Sequence, residues 1–445
     1  MQEGRRLQEG RTLQEGRRLL DLLNFLYIIY VTLSSDIGGI YMQKISEGSI
    51  TTPKGYKATG VACGIKKDGK PDLAMIVSDC VANSAGVFTQ NLVKGHSLQK
   101  TMSNMCFDDG GRTKAIVINS GNANACVGSA GDDDAASVIQ QTAKIIGCEE
   151  NEVIIGSTGV IGVKMDMKAL SSGIKKAYSK LSETGGHKAE LAIMTTDLIP
   201  KEVCVKIEID GKPVTIAGMA KGSGMIHPDM ATMIGVITTD ASISRKMLNQ
   251  ALKATVKKTF NRVSVDGDTS VCDMVILMAN GMSESPHIDT EGFDFQAFAT
   301  ALNYVCTQLA KMIAKDGEGA TKLINVIVNN ALTTDDALKV ASAVAKSPLV
   351  KTAIFGEDAN WGRILTAAGY SGANFNPKNV DIYIGDLMTC RRSEGLEFDE
   401  IKAKAILSKD EVTLTIDLKE GTHDDHIWTC DFSHGYIDIN GSYRT

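Results

Sequence analysis

The chain has 445 residues, enough for more than one domain with a sizeable core, and its 43% hydrophobic and 22% charged residues are ordinary for a globular protein. A net charge of −6 and a pI near 5.7 exclude a broadly basic nucleic-acid footprint. Ten scattered cysteines form no C-x-x-C pair, and the seven histidines share no ligand spacing with them. This argues against zinc and for a reducing, cytoplasmic setting.

In chain order, residues 1–19 repeat the unit Gln-Glu-Gly-Arg-(Arg/Thr)-Leu three times, a period that fits neither helix nor strand. An apolar run from Leu22 to Leu33 follows. It is shorter than the roughly 20 residues that span a bilayer. A basic start before an apolar segment is one form of signal peptide, but no small-x-small cleavage site follows. The preferred reading is an extension from an upstream start codon, with Met42 as the natural start and residues 1–42 outside the fold.

Beyond Gly48, short β-branched runs bounded by Gly, Asn and Asp predict strands at Ala58–Ile65, Leu73–Ser78, Lys114–Ile118, Cys204–Ile209, Lys322–Val328, Val380–Ile384 and Glu411–Asp417. Helical periodicity predicts Asp132–Ile146, Lys164–Leu181, Ser244–Asn261, Asp294–Lys315 and Thr334–Lys346. Strand and helix do not alternate strictly, so the fold class is α+β rather than a doubly wound parallel sheet. Neither G-x-G-x-x-G after a strand nor a Walker A sequence occurs.

Residues 219–240, MAKGSGMIHPDMATMIGVITTD, run from a Gly- and Met-rich loop, Lys221 to Met230, into an apolar strand, Met233 to Ile237. Thr232 sits at the junction. A threonine hydroxyl needs a base to become a nucleophile. His227 is the nearest candidate, although a loop histidine beside proline is ordinarily polar filler. Cleavage after Ala231 would supply a base instead. It frees an α-amine with an unperturbed pKa of about 7.7, against about 10.4 for lysine. On pattern alone a glycine loop ahead of a strand is structural far more often than catalytic.

The motif KGSGMIHPDMATM resembles the processing site of the ornithine acetyltransferases of arginine biosynthesis. Further matching stretches follow in order: ITTPKGYKATGV, VINSGNANA, GSTGVIG, MTTDLIPK, SVDGDTS, DGEGATK, FGEDANWGRI and the terminal NGSYRT. The resemblance implies a layered α/β sandwich of the N-terminal-nucleophile-like ornithine acetyltransferase/aminopeptidase type. It implies a nucleophile-bearing domain at 43–323 and a smaller C-terminal domain at 324–445. It implies autocleavage between Ala231 and Thr232 into chains 1–231 and 232–445, assembled as α2β2. Thr232 would be the nucleophile, its α-amine the base, and Thr158 and Gly159 the oxyanion hole. Thr195, Lys221, Thr232, Glu318, Asn440 and Thr445 would contact substrate.

Each assignment has a bland counterpart. Lys221 would otherwise be a solvated loop lysine, Glu318 and Thr158 turn residues, and Asn440 and Thr445 a frayed end. The Asn119–Asn124 and Asp358–Arg363 loops receive no role. Asp229, where the family commonly carries asparagine, places a negative charge near the scissile bond.

The implied activity is transfer of the acetyl group from N2-acetyl-L-ornithine to L-glutamate through an acetyl-Thr232 ester. No metal or organic cofactor is expected, and no nucleic-acid or membrane partner. The motifs leave open whether acetyl-CoA is also a donor. The competing readings are an N-terminal-nucleophile aminopeptidase or amidase, with water as acceptor, and an unprocessed non-enzymatic homologue.

Overall fold

The structure, a computed structural model, describes residues 34–37, 39–105, 110–227 and 233–442. The expected site residues Ala231, Thr232 and Thr445, and Asp229, lie outside them. Within the expected leader, residues 34–37 and 40–42 carry strand structure. β1 (Ser34–Ile37) pairs with β2 (Ile40–Lys44), and Met42 is fully buried.

The first sheet continues with β3 (Tyr56–Val61), β4 (Leu73–Phe88), β5 (Gly111–Asn122), β6 (Val153–Val160), β7 (Glu202–Ile209), β8 (Lys212–Lys221), β9 (Ile234–Thr239) and β10 (Met274–Ala279). Its order is β1-β2-β7-β8-β9-β10-β4-β5-β6, with β3 also on β4. The sixteen-residue β4 joins the halves. Leu73–Val77 pairs with β3 and β5, while Asn83–Phe88 pairs with β10. Between Val77 and Ala82 its register against β5 slips, a bulge of the kind that bends a strand.

The bend lays the two halves face to face. Between them lies a core that draws Ala74, Ile76, Ile116 and Ile154 from one half and Met219, Val236 and Ile276 from the other. Outside one half, α2 (Ser129–Ile146) and α3 (Met167–Tyr178) bury Val138, Ile139, Leu170 and Ile174 against Val117 and Ile155. Outside the other, α5 (Arg245–Lys258) and α6 (Phe293–Lys315) pack Leu248, Leu252, Leu302 and Leu309 on Val205, Ile216 and Ile237. α1 (His96–Asn104) and α4 (Gly186–Ile193) contribute Leu98, Ala189 and Ile193 to the middle core. The arrangement is an α+β sandwich of four layers. Covered on both faces, β9 and β10 are buried at every position. This explains why neither IGVITT nor MVILMA alternates apolar with charged residues.

A second sheet begins at β11 (Leu323–Ala331). It runs β14-β13-β12-β15-β11-β16, using β12 (Asp381–Ile384), β13 (Leu387–Arg391), β14 (Glu394–Gly395), β15 (Glu411–Asp417) and β16 (His423–Cys430). α7 (Thr334–Lys346), α8 (Pro348–Phe355), α9 (Trp361–Gly369) and α10 (Glu400–Leu407) accompany it around a separate core. α7 starts on a Thr333 side chain that accepts from Asp336 N, with Asp335 and Asp336 in the positive first turn. α11 (His434–Asn440) then packs back on the connection between α6 and β11: the Ser433 hydroxyl that caps it donates to the Gly319 carbonyl. Among the described residues no helix is long and apolar enough to cross a membrane.

Candidate active site

A cavity of about 250 Å³ opens where seven separate segments converge. Its wall includes Ala123 after β5, Thr158 and Gly159 near the end of β6, and Thr195 in the loop after α4. It also includes Lys221 at the end of β8, Ser270–Cys272 before β10, and Glu318 and Asn440. All six expected site residues that are described therefore share one cavity: Thr158, Gly159, Thr195, Lys221, Glu318 and Asn440. Lys221, expected on a loop, is the last residue of β8 and only 2% exposed. Glu318 is also buried. Asn440, expected in a frayed end, closes α11 and donates from Nδ2 to Glu318 Oε2 at 2.7 Å.

A buried ionic array holds this geometry. Asp197 Oδ1 accepts from Lys201 Nζ at 2.8 Å and from Gly222 N at 2.6 Å. Its Oδ2 accepts from Thr195 N at 2.9 Å and lies 3.9 Å from Lys221 Nζ. Lys201 Nζ also donates to Asp316 Oδ2 at 2.6 Å. Two ammonium groups thus balance two carboxylates away from water. Burial alone would raise the Asp197 pKa, but the Lys221 and Lys201 ammoniums outweigh it and hold the carboxyl well below the usual range. The array extends through Ser223, whose hydroxyl donates to the Asp316 carbonyl and whose own carbonyl accepts from Glu318 N. One network therefore fixes Thr195, Lys221 and Glu318 together.

Two glycines are required by close approach. Gly159 has φ +133°, and a Cβ there would meet the Gly121 carbonyl carbon and Asn122 N. The register between β5 and β6 slips at this point, Gly121–Asn122, interrupting the regular ladder beside the cavity. A Cβ on Gly224 would run into the Glu318 carboxylate. The motif SVDGDTS has a positioning task that its sequence did not disclose. Asp266 accepts from Met225 N at 2.6 Å and Ile226 N at 3.0 Å, anchoring the loop ahead of the Ala231–Thr232 junction. The VINSGNANA loop supplies Gly121, packed against Gly159, and Ala123 in the wall. Asp358–Arg363 lies in the layer of the second sheet, and its Asn360 caps α9.

Chain connectivity ties the junction to the same wall. Met233 N, bonded covalently to the Thr232 carbonyl carbon, donates to Asp273 Oδ1 at 3.0 Å. Asp273 directly follows the wall segment Ser270–Cys272. Its side chain is fully enclosed, and Oδ2 has no hydrogen-bond partner among the described residues. That burial pushes its pKa well above the ordinary carboxylate value. Sequence reasoning missed Asp273, because the stretch VCDM gives no sign that its acid is buried. His227, the candidate local base, places Nδ1 3.2 Å from the Ser264 hydroxyl and lines a different cavity. The geometry therefore offers a small enclosed pocket with a buried cation, a buried carboxylate and a glycine-rich edge, next to the start of β9.

Residues 57–445 match the family model described as the ArgJ family. The arginine biosynthesis bifunctional protein ArgJ of Caldanaerobacter subterraneus subsp. tengcongensis is 49% identical over 407 residues, covering 91% of this chain and 100% of that protein. The protein of the same name from Symbiobacterium thermophilum is 48% identical over 400 residues, covering 89% of this chain and 99% of its own. Among solved structures, the crystal structure of arginine biosynthesis bifunctional protein ArgJ from Bacillus halodurans has a TM-score of 0.45. It is 46% identical over 46% of this chain and 97% of that chain.

Proposed function

The chain belongs to the ArgJ family, and from that premise we propose that it transfers the acetyl group of N2-acetyl-L-ornithine to L-glutamate in arginine biosynthesis. Acetyl-CoA serves as a second donor for the same acceptor, in keeping with the bifunctional naming of its relatives. The observation that carries the reading is the convergence of Thr158, Gly159, Thr195, Lys221, Glu318 and Asn440 on one cavity, beside the residue that follows Thr232.

In this reading the Ala231–Thr232 bond is cut by the chain itself, and Thr232 becomes an N-terminal nucleophile. The hydroxyl attacks the acetyl carbonyl of N-acetylornithine while the α-amine takes its proton, an amine whose ordinary pKa of about 7.7 suits neutral pH. Donors at Thr158 and Gly159 hold the oxyanion, each worth ~2.7–4 kcal/mol in the transition state. Ornithine leaves with the proton, and the amine of glutamate takes the acetyl group from the ester. Lys221 pairs with the substrate carboxylate and Glu318 with an amine of ornithine. Thr195, Asn440 and Thr445 complete the substrate contacts. The protein needs no metal or organic cofactor and works in the cytoplasm. Its nucleophile-bearing part spans 43–323 and its smaller part 324–445. Chains 1–231 and 232–445 assemble as α2β2.

The test is N-terminal sequencing and intact mass of the purified protein, followed by rapid quenching with N-acetylornithine. Two chains, one beginning Thr-Met-Ile-Gly, and an added acetyl on that peptide are expected. Thr232→Ala should remain a single chain. An intact, active wild-type chain, or acetate release without transfer to glutamate, would sink the reading.

A further inference from the structure

A second cleft of about 840 Å³ lies between α5 and α7. Its lining includes Lys253 and Lys257 of α5, Lys346 at the end of α7, Arg262, Lys339 and Tyr370. Two of these cations are neutralised: Arg262 makes a bidentate pair with Asp425 at 2.8 Å, and Lys339 pairs with Asp335 at 2.7 Å. Lys253, Lys257 and Lys346 are exposed and have no ion-pair partner among the described residues. Lys257 and Lys346 each sit in the last turn of a helix, where the dipole favours a cation. That accounts for neither Lys253 nor the convergence of both helix ends on one concavity. On a chain of net charge −6, three unpaired ammoniums around one cleft are a focused positive field. Tyr370, 62% exposed, adds an open aromatic face on which a purine ring can stack.

The catalytic cavity of about 250 Å³ suits an amino acid but lies below the ~300–1,000 Å³ typical of sites for larger ligands. The bulk of a CoA thioester must therefore sit outside it. One loop separates the two spaces: Met225 lines the catalytic cavity and His227 lines the cleft. Two residues of chain span at most about 7 Å. The loop is held by Asp266.

We propose that the cleft seats the phosphorylated adenosine of CoA when acetyl-CoA is the donor, with the pantetheine arm passing the 225–227 loop into the catalytic cavity. This rests on the acetyl-Thr232 reading above. The Thr232 hydroxyl oxygen bonds to the thioester carbonyl carbon, and the carbon–sulfur bond breaks. The hydroxyl proton passes through the α-amine to the departing sulfur. CoA leaves as the free thiol, and the same acetyl ester then meets glutamate.

The test compares the full-length protein with the triple variant Lys253→Glu/Lys257→Glu/Lys346→Glu. All three side chains are exposed, and none belongs to the catalytic cavity. CoA binding is measured by calorimetry, and kinetics are measured with each donor. The dissociation constant for CoA and the KM for acetyl-CoA should both rise at least about tenfold, as expected when three attractive charges around one ligand are reversed together. Kinetics with N-acetylornithine should stay within about twofold. Adenosine 3′,5′-bisphosphate should compete with acetyl-CoA, while inorganic phosphate at the same concentration should not. The proposal is overturned if the wild type does not bind CoA, if the variant binds it equally, if both donors suffer together, or if phosphate competes as well as the bisphosphate. A wild type that binds CoA in this charge-dependent way but cannot use N-acetylornithine would support the cleft and reject the ornithine reading alone.

Discussion

Replacing Asp197 by asparagine removes one of two carboxylates from a cluster that water does not reach. Lys201 and Asp197 have no exposed side-chain surface, and Lys221 has 2%. The variant leaves two ammoniums against Asp316 alone. The amide oxygen can replace only part of a carboxylate that accepts from Thr195 N, Gly222 N and Lys201 Nζ. Leaving a buried donor unsatisfied costs about 1–3 kcal/mol, and breaking a buried pair so that one charge is uncompensated costs about 3–5 kcal/mol. The second figure contains the first, so the expected loss is about 3–5 kcal/mol, a large share of the 5–15 kcal/mol of a typical domain.

The sign with pH follows from the depressed folded-state pKa. The contribution is complete above the unfolded value of about 3.9 and is lost only as pH falls through the lower folded value. Urea titration by circular dichroism at pH 7 measures the loss. A difference below about 1 kcal/mol would refute the argument. Adding Lys221→Met restores charge balance and should recover part of the stability while leaving the enzyme inactive. A double variant less stable than Asp197→Asn would show that charge balance is not what Asp197 provides.

Three further outcomes are expected. Gly159→Ala forces a Cβ against the Gly121 backbone at φ +133° and should lower kcat about 10²–10³-fold, read by steady-state assay; a change under about threefold would contradict the oxyanion role. Glu318→Gln should reduce kcat/KM for N-acetylornithine by at least about tenfold through loss of a charge-assisted bond, with a smaller effect on glutamate; equal effects would remove Glu318 from recognition of the ornithine side chain. Asp273→Asn should be more stable than the wild type at pH 7 and indistinguishable near pH 4. A carboxyl whose folded pKa is raised costs stability as pH climbs above the unfolded value. Parallel stability at both pH values in thermal melts would contradict its enclosure.

Much of the scaffold was legible because hydrophobic period and local signals agreed. Glu411–Asp417 alternates buried and partly exposed positions, and Thr334–Lys346 carries its cap, acidic start and basic end. Both were predicted with the observed bounds. No predicted strand falls on β1, β2, β6, β8, β10, β13, β14 or β16, and no predicted helix on α1, α4 or the short helices α8 to α11. β10 is enclosed on both faces, so its sequence shows no alternation. β4 was cut short at Ser78 because the polar residues around its bulge read as a strand end. At the site, the resemblance pointed to the residues, but local chemistry did not. Nothing in MTTDLIPK or DGEGATK reveals that Asp197 and Asp316 meet on Lys201, a contact between residues 115 positions apart. Lys221 read as a loop lysine because its pairing partners in β9 lie beyond the glycine-rich turn. Asp266, Asp273 and the basic cleft are products of packing that no local pattern encodes.

The order of the first sheet bears on how the protein comes into being. β9 and β10 lie after the proposed cut, yet β8 flanks them on one side and β4 on the other, both from before it. The later piece is threaded into the earlier one, and neither has a complete sheet without the other. Folding must therefore precede the proposed cut, and on this reading a single continuous chain is needed only once. After the cut, recovery from denaturation becomes an encounter between two molecules, and its yield should depend on concentration. The uncut Thr232→Ala chain should refold with no such dependence, so the maturation step would leave a molecule that works as built but cannot efficiently rebuild itself.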